Sequence, residues 1–114
     1  KERRDSIYQQ MRAAIRVPAE GEKREVGYVE TIECNKKGRY LRFKTAGGLL
    51  LLDLVQPQIR MFIRDLEGLA LGCDMRAVEY PAVVVYTVST DKKEKFAGTV
   101  LTLDFVPKAF TLEP

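Results

Sequence analysis

The stretch from Val26 to Val55, VGYVETIECNKKGRYLRFKTAGGLLLLDLV, constrains the fold more than any other part of the chain. It contains two tight reversals. Asn35-Lys36-Lys37-Gly38 sets Asn and Gly where a turn needs a side-chain cap or positive φ. Ala46-Gly47-Gly48 offers the same freedom a few residues later. Between the turns, Leu41, Phe43 and Thr45 alternate with Tyr40, Arg42 and Lys44, the period-2 pattern of a half-buried strand. The leucine run that follows has no alternation of its own, and Asp53 sets its phase. With Asp53 toward water, Leu50, Leu52 and Leu54 face the core, and Leu49 and Leu51 lie outside, where they need cover. Three consecutive antiparallel strands are therefore expected over 26–55.

A chain of 114 residues with 46% hydrophobic and 31% charged residues suits one domain with one core. The net charge of +3 permits an anionic partner without arguing for one. No apolar run reaches the roughly 20 residues of a membrane-spanning helix. The chain opens on Lys1 and reads as a piece of a larger protein, so both a cytoplasmic and an exported home are open.

Residues 1–18 read as an N-terminal helix with Ile7, Met11 and Ile15 on its buried stripe, ended by Val17-Pro18. It either packs on the following domain, ends an upstream helical domain, or supports self-association. Residues 19–25 read as a charged linker, and 26–114 as the barrel domain. In the first strand Val29 and Ile32 are out of phase, which calls for a bulge near Gly27 or Glu30. Gln56 to Leu66 changes period, with Ile59, Phe62, Ile63 and Leu66 at helical spacing, Pro57 in the first turn and Gly68 as stop; a short helix is expected there. A brief strand over Leu69–Cys73, an irregular segment over Asp74–Pro81, a strand over Ala82–Ser89, a charged turn over Thr90–Lys95 and a last strand over Phe96–Val106 follow. In that last strand Leu101 and Leu103 are assigned to the core, and the chain after Pro107 is expected to fray. Leu41, Phe43, Leu50, Leu52, Val84 and Tyr86 complete the expected core, closed at one end by Ile59, Phe62 and Ile63 of the short helix.

The order α-β-β-β-α-β-β points to a mainly β (α+β) chain folded as a small antiparallel barrel of the oligonucleotide/oligosaccharide-binding (OB) type, with an SH3-like barrel as the alternative. The segments GYVETIEC, LRFKTAGGLLLLDL, LGC, VVVYTV and GTVLTLDF resemble a C-terminal domain attached to tetratricopeptide-repeat proteins of soil bacteria. That resemblance, over about Val26 to Val106, implies an OB-like barrel behind a helical-repeat array and supplies no catalytic residue.

Lys36, Lys37, Arg39, Tyr40, Arg42 and Lys44 form the most suggestive constellation. A basic groove with an aromatic platform is how such barrels hold single strands. The same residues also make an ordinary solvated strand face whose charges deter edge pairing. An enzyme is disfavoured because the chain has no histidine and its carboxylates fall at no motif spacing. No cofactor and no metal site is indicated, since Cys34 and Cys73 are the only cysteines and lie far apart. They are either buried fillers or a disulfide. The expected function is a non-catalytic interaction module whose partner is another protein or an upstream domain of the same chain. Single-stranded nucleic acid or polyanion binding is the alternative.

Overall fold

The structure, a computed structural model, describes residues 2–63, 72–73, 78–90 and 96–113, with side chains from Ser6 onward. It contains helix α1 (Glu2–Ala14) and strands β1 (Glu22–Asn35), β2 (Gly38–Thr45), β3 (Gly48–Leu54), β4 (Gln58–Met61), β5 (Ala82–Val88) and β6 (Gly98–Phe105).

Both hairpins form at the expected turns. Asn35 pairs with Gly38 and Thr45 with Gly48, leaving two residues in each loop. The Asn35 side-chain oxygen accepts the Lys37 N–H at 2.7 Å, which fixes the first turn locally. Gly38, at φ 151°, then enters β2 in a conformation that side-chain-bearing residues rarely adopt. β1 and β2 slip register between Val29 and Thr31. Glu30 is the extra residue, and the bulge turns both Val29 and Ile32 inward, where each is fully buried. β1 begins at Glu22, inside the stretch read as linker, because Glu22–Gly27 pair with Ala82–Thr87 of β5.

The sheet runs β3-β2-β1-β5-β6-β4, and β3 also pairs with β6. That contact, Leu52 with Gly98 and Asp53 with Thr99, is parallel and closes five strands into a barrel. Val29, Ile32, Leu41, Phe43, Leu52, Val84, Tyr86, Leu103 and Phe105 fill it. Leu50, Leu52 and Leu54 face this core, as the phase set by Asp53 requires.

Three expectations about the later strands and the C-terminal segment are corrected. The helix expected over Gln56–Leu66 is not formed at Gln58–Met61, which is instead strand β4, parallel to Thr102–Phe105. Ile59, Met61 and Ile63 pack against the barrel core, whereas Phe62 packs under α1. Period 2 wins because Arg60 is drawn outward to the buried Asp104, with Nε to Oδ1 at 2.7 Å. Leu66 and Gly68 lie outside the described residues, as do Leu69–Leu71 of the expected brief strand, positions 74–77 and the turn at 91–95. Second, β5 and β6 slip register between Val85 and Tyr86, so Val100 takes the core place expected of Leu101, which is half-buried. Third, the chain after Pro107 is packed. Val106 and Phe110 are buried with Met11, Ile15 and Val83 in a second cluster between α1 and the outside of the barrel.

α1 meets that cluster through Tyr8 and Met11, and Ile15 follows directly after it, while Ile7 is 45% exposed. Tyr8 and Phe110 meet edge to face with centroids 5.7 Å apart. Arg12 Nε donates to the Thr111 carbonyl at 2.7 Å, holding the C-terminal segment to the helix. Arg60 Nη2 donates to the Ala14 carbonyl at 2.5 Å and so satisfies one of the open carbonyls at the helix end.

Candidate functional site

The outer face of β1–β2–β3 carries the residues singled out in the sequence, and the register fixes its rows. Glu33, Tyr40 and Asp53 stand side by side, then Thr31, Arg42 and Leu51, then Tyr28, Lys44 and Leu49. The six candidate residues do not share this face. Lys36 and Lys37 sit in the turn, and Arg39 is in phase with the inward Leu41 and Phe43. The face keeps Tyr40, Arg42 and Lys44.

Two of these are engaged. Arg42 lies between carboxylates, with Nε 3.4 Å from Glu30 and Nη1 3.9 Å from Glu33. The bulge places Glu30 there. Tyr40 stacks on Phe96 with centroids 4.6 Å apart and planes 13° from parallel, and its hydroxyl bonds Asn35 at 3.2 Å. Lys44 is different: among the described residues it has no carboxylate within ion-pair distance.

Lys44 stands at the edge of a groove of about 710 Å³ that the sequence reading did not find. One wall is the outward side of β1, Val26 and Tyr28, which are 41% and 45% exposed. The other wall comes from Pro81 and from Lys108 and Phe110 beyond β6. Gly27 makes the wall possible. A Cβ there would lie 2.1 Å from the Lys44 carbonyl oxygen, so only glycine lets β1 pass this close to β2 at the point where it changes partner. Lys108 bonds Glu79 at 3.1 Å and lies 5.5 Å from the Tyr80 ring centroid. Glu79, through that hydrogen bond first and its charge second, holds the Lys108 ammonium above the usual lysine range.

No sequence signal marks this groove as a unit, because its lining comes from positions 26–28, 44–46, 78–81 and 108–110, brought together only by barrel closure. The visible hint was the apolar Val26 and Tyr28 on the solvent side of a strand. A smaller hollow of about 260 Å³ between Asp53, Thr87 and Phe96 lies at the β3–β6 seam, and the Thr87 hydroxyl there already bonds the Thr99 carbonyl at 3.4 Å. The sulfurs of Cys34 and Cys73 are bonded, with Cα atoms 5.4 Å apart, which pins the end of β1 to the segment after β4. Among the described residues no group of three or more Cys, Asp or Glu side chains is arranged to hold a metal ion. No helix among the described residues is long and apolar enough to cross a membrane.

Fold and surface together define a small closed β-barrel with a helix packed outside it and an apolar, lysine-rimmed groove beside β1. Comparison with known proteins gave no matching family model, no matching curated protein and no matching solved structure.

Proposed function

We propose that the chain is a non-catalytic interaction module, an OB-type barrel carried by a larger bacterial protein. The strand order supports the OB assignment over an SH3-like meander: β5 lies between β1 and β6, and β3 closes onto β6 in parallel. The resemblance of GYVETIEC and LRFKTAGGLLLLDL to domains that follow tetratricopeptide repeats supports the attachment to a repeat array. One observation carries the choice of protein over nucleic acid as partner. The cation and the ring that a single strand would need, Arg42 and Tyr40, are taken up by Glu30, Glu33 and Phe96, while Val26, Tyr28 and Leu49 stay exposed.

The test is fluorescence anisotropy of a labelled oligothymidylate with the chain at about 50 mM and about 200 mM salt. No saturable binding at the lower salt is expected. Micromolar binding that collapses at the higher salt would overturn the reading in favour of a single-strand binder.

A further inference from the structure

We infer that the groove beside β1 is a docking site for an extended protein segment that carries an apolar side chain next to a carboxylate. This deepens the interaction-module reading and rests on it. The groove volume of about 710 Å³ falls within the range of roughly 300–1,000 Å³ typical of ligand sites, enough for a few peptide residues. Its lining is chiefly apolar, through Val26, Tyr28, Pro81 and Phe110. Surface of this kind left open by half-exposed Val26 and Tyr28 favours an apolar occupant.

Charge selects the occupant further. Among the described lining residues two ammonium groups, Lys44 and Lys108, stand against one carboxylate, Glu79. Among the described residues Glu79 is engaged by Lys108, and Lys44 is the lining charge with no carboxylate partner. Lys44 lies across the strands from Tyr28 on one side and Leu49 on the other, so its ammonium rises from an apolar frame. A carboxylate that reaches it does so beside apolar side chains that the docked segment covers, where the pairing is stronger than in open water. A basic segment meets like charge at both lysines and is rejected. The site thus specifies sign as well as hydrophobicity.

The probe is a synthetic eight-residue peptide that alternates aspartate with phenylalanine and leucine, and the control has lysine at every aspartate position. The full 114-residue chain, isotopically labelled, is titrated with each while amide shifts are followed. Shifts gathered on Val26, Tyr28, Lys44 and Lys108 with the acidic peptide, and none with the basic one, are expected. Lys44→Glu should weaken binding at least tenfold with an unchanged thermal midpoint, since the side chain is exposed. Tyr28→Ala serves as the second variant and should weaken binding without salt dependence in the difference. Absence of shifts at millimolar acidic peptide overturns the inference, as does equal binding of the basic peptide or a shift pattern on another face. Those failures leave the interaction-module reading standing. Oligothymidylate binding overturns that reading instead, so the two failures are told apart.

Discussion

Asp104 has no exposed surface, and Arg60 supplies the guanidinium that matches it through both Nε and Nη2 at 2.7 and 3.3 Å. The same guanidinium bonds the last carbonyl of α1. An ion pair with one partner fully buried adds little over an apolar replacement of both, but removal of the half-buried guanidinium strands the buried carboxylate. Arg60→Met should therefore cost about 3–5 kcal/mol in urea unfolding, and Arg60→Met with Asp104→Leu should cost less than the single change. A double variant as unstable as the single one would show that the pair matters through shape and the helix bond. Gly27 is a second sensitive residue. Gly27→Ala sets a methyl against the Lys44 carbonyl oxygen and the Phe43 ring and should cost at least about 1–3 kcal/mol, read from the same unfolding midpoint. At Glu22 the effect is pH-dependent. Arg16, by its hydrogen bond first, and the Ala19 N–H hold the Glu22 carboxyl below the usual range. The folded state thus favours the ionised form, so the stabilisation is complete above the ordinary carboxylate range and is lost as pH falls through the lowered value. Thermal midpoints of the chain and of Glu22→Gln should differ at neutral pH and converge in acid.

At the scale of elements, the legible ones were those whose determinants are local. Asn35, Gly38 and Gly48 place both hairpins without help from the rest of the chain, and Asp53 phases the leucines because one charged residue suffices to choose a face. β4 was illegible for the opposite reason. Ile59, Phe62 and Ile63 fit a helix while Ile59, Met61 and Ile63 fit a strand, and what decides between them is pairing with β6, where Asp104, 44 residues after Arg60, takes its guanidinium. Leu101 was misplaced because the bulge opposite Val85 and Tyr86 leaves no mark in an alternating segment. In α1 the buried place expected of Ile7 is taken by Tyr8, which meets Phe110 edge to face. The helix and the residue that follows it make the prediction testable side by side. Ile15, 1% exposed, should cost about 2–5 kcal/mol as Ile15→Ala. Ile7→Asp, on the outer side, should stay within about 0.5 kcal/mol of the parent. Equal losses at both positions would mean that α1 docks in solution by a different face. Of the candidate site, Lys44 was legible from strand alternation, but the groove it borders was not, since no local pattern links Val26 to Phe110.

For the whole molecule, closure of β3 onto β6 leaves the strand succession β1–β2–β3 joined to β5–β6 at two seams, and the Cys34–Cys73 bond adds a covalent tie outside both. The bond spans 39 positions and encloses β2, β3 and β4. A link of that span limits the unfolded chain far more than the folded one, because in the fold Cys34 already sits at a fixed strand end. By chain entropy the restriction is worth about 4 kcal/mol, and relaxed native contacts or residual unfolded structure reduce it, so the double variant Cys34→Ser, Cys73→Ser should lose about 2–4 kcal/mol. Cys73 is exposed and Cys34 half-buried, so the serines replace sulfurs at the rim and leave the barrel core intact. The loss should consequently appear as a lower urea midpoint with native amide shifts retained around Val29, Phe43 and Leu103. Chemical reduction of the parent chain should reproduce the same midpoint. A loss below about 1 kcal/mol would mean that the reduced chain keeps this loop closed when unfolded. Collapse of the core shifts would mean instead that the tie is needed to hold the β1–β2 corner against the segment after β4.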